Sequence, residues 1–379
     1  MSKKNKKSKL RAEFRKHYGS RTRPQDLTRQ FQQHGFQEDD AARRERVSGK
    51  GDLTRRRTVI GEMVDDESGR RLLLDVDDAV CRRGRVLAVY GRISTVEAED
   101  GQIFECATRR LLKTLSTEQR HVLAAGDRVL FRPVSGSEGF IERIEPRQGV
   151  LCRTSKGRRH VIVANVDQML IVSSAAEPDL KPNLIDRLLV TSEKARIRPL
   201  ICINKIDLVD PADLQPLAGV YGQMGYQVLL VSAVTGFGIG RLRRVLQGQQ
   251  SVVVGQSGVG KSSLLNAIEP GLDLRVNTVS ADSHKGRHTT AAAQLIRLAT
   301  GGYVVDTPGV RQFQLWDVIP EEVAGFYRDL RPYVNLCRFP NCTHTHEEEC
   351  AVKDAVADGR LDARRYESYV ALFREDETP

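Results

Sequence analysis

Gly255-Gln-Ser-Gly-Val-Gly-Lys-Ser262 has the form G-x-x-x-x-G-K-[ST] and lies between an apolar run, residues 251–254, and helix-forming residues 263–268. A strand running through a glycine-rich loop into a helix is the setting this motif needs. The glycines let backbone N–H groups turn inward around phosphates, Lys261 reaches the β and γ oxygens, and the Ser262 hydroxyl can bind Mg²⁺. Gly255, Gln256, Ser257, Gly258, Val259, Gly260, Lys261, Ser262 and Ser263 therefore form a candidate nucleotide cradle. Upstream, residues 166–172, 199–203 and 227–231 are continuous apolar runs, as suits parallel strands covered on both faces. With helical stretches such as 184–195 between them, residues 153–315 read as an α/β domain.

A phosphate loop does not choose the base. Asn204-Lys205-Ile206-Asp207 follows the run 199–203 and has the N-K-x-D form that reads guanine. An Asp carboxylate accepts from both guanine N1–H and N2–H₂, whereas adenine presents an acceptor at N1 and no amine at C2. At a buried site adenine would leave Asp207 unpaired, at a cost of about 1 to 3 kcal/mol or more. Ser232-Ala233, after the run 227–231, suits a backbone contact to the base carbonyl. Asp306-Thr-Pro-Gly309 fits the D-x-x-G element, in which Asp306 holds Mg²⁺ through water and the Gly309 amide senses the γ-phosphate. Gly286-Arg-His-Thr-Thr290 lies between the two and supplies a switch segment, in which either Thr289 or Thr290 could bind Mg²⁺. Asn204, Lys205 and Asp207 together disfavour a P-loop kinase or ATPase.

The order of these elements is unusual. In most GTPases the phosphate loop precedes the guanine reader, but here residues 204–207 and 232–233 precede Gly255, so the domain is circularly permuted. The segment after Gly309 then leads directly into the C-terminal region, wiring the nucleotide switch to it. Val310 stands where many GTPases carry a water-orienting Gln, and a hydrophobic side chain cannot orient water. His288 is the local candidate for that task; the alternative is a loop histidine that only packs or contacts RNA. Gly258 occupies the place of the Asn that binds an activating K⁺ in some GTPases, so that route is not expected.

Working outward, residues 58–152 hold short alternating runs (85–90, 91–96, 127–131, 140–144) separated by glycines, the pattern of a small OB-like β-barrel. Basic clusters at Arg82, Arg83 and Arg85, and at Arg109 and Arg110, could line a nucleic-acid face or a solvated exterior. Residues 153–160 read as a basic loop. Residues 1–57 hold 18 Lys and Arg against 7 Asp and Glu, a net of +11, which leaves residues 58–379 at −1 of the chain's +10. Poor in aliphatic residues, this stretch reads as a disordered basic tail that attracts a polyanion or merely solubilises. No apolar run approaches the roughly 18 residues of a membrane span. The basic start has no apolar stretch behind it, so a cytoplasmic protein with no membrane partner is expected.

Three of the seven cysteines fall within fourteen residues: Cys337-Arg-Phe-Pro-Asn-Cys342-Thr-His344-Thr-His346-Glu-Glu-Glu-Cys350. With one histidine they make a closed Cys₃His set, the usual structural zinc site. His344 and His346 compete for the fourth position. Cys81, Cys106, Cys152 and Cys202 are scattered singly and read as small hydrophobes rather than a disulfide framework. Residues 316–379, with a helix expected over 361–373, form a zinc-binding helical domain.

The permuted motifs, the preceding barrel, Gly286-Arg-His-Thr-Thr290 and the following cluster resemble the ribosome small subunit-dependent GTPase A family over about residues 58–375. The resemblance implies an OB barrel, a permuted GTPase domain and a zinc domain. It implies binding to the small ribosomal subunit and its rRNA late in maturation, with GTP hydrolysed on the particle. It also implies His288 at the attacking water. The family spacing C-x₄-C-x-H-x₅-C falls on Cys337, Cys342, His344 and Cys350, favouring His344 over His346. A working monomer needing GTP, Mg²⁺ and one zinc ion is the expectation; an RNA-binding scaffold that holds GTP with negligible turnover is the alternative.

Overall fold

The computed structural model describes residues 8–13, 56–109, 112, 122–155, 158–272, 274, 293–306 and 318–375. Strands β1 (Ser8–Glu13), β2 (Arg56–Asp66) and β3 (Gly69–Leu74) form an antiparallel three-stranded sheet with β2 in the centre. The expectation of a wholly disordered stretch 1–57 is corrected at β1. A segment too poor in apolar residues to build its own core can still add its backbone to an existing strand edge.

A five-stranded barrel follows, made of β4 (Arg82–Tyr90), β5 (Ile93–Ala98), β6 (Ile103–Thr108), β7 (Arg128–Ser135) and β8 (Glu138–Ile144). Its order is β4-β5-β6-β8-β7, with β7 pairing back on β4 and β6 running parallel to β8. This is the closed OB arrangement. Val86, Val96, Phe104, Phe131 and Ile141 fill it. A Cβ on Gly84 would sit 2.6 Å from Val96 Cγ1 and 2.9 Å from the Phe131 ring, so the corner at β4 requires glycine. The basic stretch 153–160 is not a loop but part of a hairpin, β9 (Leu151–Ser155) and β10 (Arg158–Val163). Leu151, Cys152 and Val163 are buried while Arg153 is exposed, so apolar residues anchor both strands and the Arg153 charge faces solvent.

The nucleotide-binding half is a six-stranded sheet: β11 (Gln168–Ser174), β12 (Arg198–Asn204), β13 (Gln227–Leu230), β14 (Gln250–Val254), β15 (Gln294–Arg297) and β16 (Tyr303–Asp306). Its order is β13-β12-β11-β14-β16-β15, parallel except for β15, which also touches β4 and so joins sheet to barrel. Alternate residues of each buried strand serve opposite faces. Met169, Ile171, Ile201 and Ile203 meet α1 (Pro182–Lys194) and α2 (Gln215–Gln223) on one side. Leu170, Val172, Leu200 and Cys202 meet α3 (Ile239–Leu246) and α4 (Lys261–Ile268) on the other.

The C-terminal part holds α5 (Pro320–Phe326), α6 (Arg331–Val334), α7 (Ala351–Ala357) and α8 (Ala363–Glu375). Its core includes Val190 of α1, so it docks on the nucleotide-binding half. Buried Arg365 of α8 reinforces the contact, donating to Asp186 of α1 and to both oxygens of Asp329 at 3.0 and 3.1 Å. Burial alone would lower the Arg365 pKa, but Asp186 and Asp329 outweigh it and hold the guanidinium above its usual value. Among the described residues no helix is long and apolar enough to cross a membrane.

Candidate functional site

Four segments singled out from the sequence leave the sheet at the same edge, the carboxyl ends of the parallel strands. The phosphate loop follows β14, Asn204 ends β12, Ser232 and Ala233 follow β13, and Asp306 ends β16 beside β14. Ligands bind open α/β sheets at that edge, where neighbouring connections diverge. Permutation changes the order in which the strands are made, not which ends meet.

Within the phosphate loop Gly258 and Gly260 have φ of +84° and +88°, values costly for other residues. Gly260 also has no room for a side chain, since a Cβ there would lie 2.6 Å from Asn204 Nδ2. Lys261 opens α4, and its Nζ donates to the carbonyls of Gly255 and Gln256, both at 2.7 Å, which keeps the ammonium at the mouth of the loop. Ser262 and Ser263 follow in the first turn of the helix, where exposed N–H groups favour phosphate oxygens.

The guanine reader divides its labour. Asn204 is buried, its Nδ2 donating to the Val259 carbonyl at 3.0 Å while its Oδ1 accepts from the Ala233 amide at 3.2 Å. It ties the phosphate loop to the Ser232-Ala233 turn. Lys205 takes the left-handed conformation, φ +62°, and its Nζ donates to the Glu177 carbonyl. Asp207 Oδ1 accepts from the Ser232 hydroxyl at 2.5 Å, which orients the carboxylate. Asp207 is exposed, correcting the expectation of a buried site.

Ser262 and the backbone of Asp306 stand at neighbouring ends of α4 and β16, the two places from which Mg²⁺ would be held. His288, Thr289, Thr290 and Gly309 lie outside the described residues.

The cysteine cluster assembles as one group. Ligand atoms of Cys337, Cys342, His344 and Cys350 all lie within 4.8 Å of one another. Cys337 Sγ is 3.8 Å from Cys350 Sγ, and His344 Nδ1 is 3.3 and 3.5 Å from those two sulfurs. Zinc with Zn–S near 2.3 Å in tetrahedral geometry needs sulfurs about 3.8 Å apart, so the donor set fits that ion. The choice between histidines is also decided: His344 is 2% exposed and faces the sulfurs, whereas the His346 side chain is 82% exposed and turned to Thr345. Burial and the neighbouring thiols push Cys342 up to about 12, the mark of a thiol cluster in which a metal would displace protons. Tyr366 and Tyr369 of α8 donate to the carbonyls of His344, 2.8 Å, and Thr343, 2.5 Å, securing the knuckle.

One residue that the sequence did not single out is Glu97 on β5. Buried at the barrel wall, it accepts from Arg297 of β15 and from the Tyr303 hydroxyl of β16, each at 2.6 Å. No motif marks it, because its partners lie some 200 residues away.

The RsgA GTPase family profile matches residues 144–316. The small ribosomal subunit biogenesis GTPase RsgA of Sodalis glossinidius is 41% identical over 299 residues, covering 77% of this chain and 85% of that protein. Among solved structures, YjeQ from Thermotoga maritima is similar at 37% identity and TM-score 0.67, over 79% of this chain and 99% of that one. YloQ, described as a circularly permuted GTPase, is similar at 30% identity and TM-score 0.63, over 80% and 98%. With its permuted motif order, barrel and Cys₃His cluster, the chain belongs to the RsgA family of circularly permuted GTPases.

Proposed function

We propose that this protein hydrolyses GTP to GDP and phosphate during biogenesis of the small ribosomal subunit, while bound to the subunit and its rRNA. The convergence of Asn204, Asp207, Ser232, the phosphate loop and Asp306 at one sheet edge carries the reading. Asp207 selects guanine, Asn204 sets the distance between base and phosphate subsites, and Lys261 with the α4 amides neutralises phosphate charge. Ser262 and Asp306 would hold Mg²⁺, which would supply positive charge to offset that developing on the phosphates. His288 orients the attacking water, since Val310 cannot, and Thr289 or Thr290 completes the metal shell. Cys337, Cys342, His344 and Cys350 would hold a zinc ion, whose part would be structural because four protein donors are available to it. The protein works as a monomer in the cytoplasm: one chain supplies every element, and all seven cysteines are free, as suits a reducing compartment. Co-sedimentation with small ribosomal subunits tests the partner. Binding should be stronger with a non-hydrolysable GTP analogue than with GDP; equal binding with analogue, GDP and no nucleotide would remove the switch.

A further inference from the structure

A polar cleft of about 710 Å³ separates the barrel from the nucleotide-binding sheet, lined by Arg83, Arg85, Arg128, Arg143, Arg297 and Tyr303 among others. Its volume lies in the range of ligand sites, yet it is not the GTP site. Arg85 of β4 and Arg128 of β7 are direct cross-strand neighbours. Like charges so placed repel. Three carboxylates line the cleft: Glu97 is paired with Arg297 and Tyr303, Glu145 with Arg143, and Glu99 is exposed; Glu97 and Asp167 favour the Arg85 charge without pairing with it. Among the described residues none makes an ion pair or carboxylate hydrogen bond with Arg83, Arg85 or Arg128. Arg85 instead stacks over the Tyr303 ring, 4.5 Å from its centroid, and burial, more than Arg128, works against its charge. Of the other expected basic residues, Arg82 pairs with Asp100 and Arg109 with Glu142, while Arg110 lies outside the described residues.

We infer that this cleft is an RNA phosphodiester site, in which Arg83, Arg85 and Arg128 contact successive phosphates of one strand. Positions 83 and 85 are two residues apart on β4, about 6.7 Å, close to the separation of neighbouring phosphates along an extended strand. That spacing favours a polymer over a single small anion. OB barrels ordinarily bind nucleic acid on their second and third strands; here those are β5 and β6, whereas Arg83, Arg85 and Arg128 stand on the first and fourth, β4 and β7, next to Glu97 and Ala98 of β5. An occupant would also lie against Tyr303 at the amino end of β16, the end opposite Asp306. The inference rests on the RNA-binding part of the proposed function.

The test uses the full chain and a fluorescein-labelled, mixed-sequence 20-nucleotide single-stranded RNA, with anisotropy read across a salt series. Arg85→Gln with Arg128→Gln should weaken binding about tenfold and reduce the salt slope by about 1.4, two contacts at about 0.7 each. The matched change Arg241→Gln with Arg244→Gln on exposed α3 should do neither. Because the two cleft arginines repel, their removal should not lower the melting temperature. An unchanged slope, or a lower melting temperature accompanying the loss, would overturn the site while leaving subunit co-sedimentation intact. Displacement of RNA by millimolar inorganic phosphate at constant ionic strength would make it a small-anion site and overturn the RNA assignment. Wild-type protein that bound no RNA would overturn both this inference and the reading beneath it.

Discussion

At the scale of single residues the site depends on side chains that hold one another rather than on any one contact to nucleotide. Asp207 is aimed by Ser232, and Asn204 fixes both the phosphate loop and the turn at Ala233. Asp207→Asn replaces an acceptor of two hydrogen bonds with an amide that matches only one. At about 1.5 to 3 kcal/mol per bond to a charged group, GDP affinity should fall at least tenfold, measured by titration with a fluorescent guanine nucleotide. Gly260→Ala should also weaken GDP, because its Cβ would displace Asn204 from 2.6 Å at a strained φ of +88°. Wild-type affinity in that variant would show that Asn204 does not tie the subsites together. His288→Ala should reduce subunit-stimulated turnover by about 10² or more while leaving GDP binding unchanged; unchanged turnover would return His288 to a packing or RNA-contact role.

At the scale of elements, the C-terminal helices depend on one buried charge network and one knuckle. Removing one partner of a buried pair strands the other, at about 3 to 5 kcal/mol. Arg365→Ala, which leaves Asp186 buried with only the Tyr221 and Ser368 hydroxyls, should therefore destabilise more than Arg365→Met combined with Asp186→Leu, as thermal unfolding would show. In the knuckle, burial would raise the Glu347 pKa, yet hydrogen bonds from the Thr343 hydroxyl and amide and the Thr345 amide hold it at about 2. A carboxylate depressed in the fold contributes fully above its unfolded value of 4.5 and loses that contribution as pH falls through 2. Glu347→Gln should accordingly flatten the acid limb of stability between those values relative to wild type, zinc loss being common to both; parallel limbs would contradict the assignment. The cluster's ligands were legible because cysteine spacing is a local signal. The family spacing already pointed to His344 over His346; what it does not contain is the burial of His344 and the exposure of His346.

At the scale of the whole molecule, what the sequence shows plainly are the features carried by contiguous residues: the phosphate loop, residues 204–207, and the buried runs that became β11, β12, β13 and β14. What it does not show are pairings made across long separations. The hairpin β9–β10 hid behind its arginines, β1 draws its stability from β2, and Glu97 joins barrel to sheet through Arg297 and Tyr303. The position of Asp207 within its motif is plain in the sequence, but its exposure depends on loops around it that no motif describes. The folded arrangement puts residues 204–207, the phosphate loop and the end of β16 on one edge, with the barrel joined to β15 and β16 and the C-terminal helices docked on α1. A particle engaging the barrel and the C-terminal helices together could order the catalytic edge. The most direct measurement is the rate of phosphate release from GTP and from ATP, each with and without small ribosomal subunits. The account predicts slow turnover of GTP alone, strong stimulation by subunits and no comparable use of ATP. Equal hydrolysis of ATP and GTP, or a GTP rate that subunits leave unchanged, would contradict it.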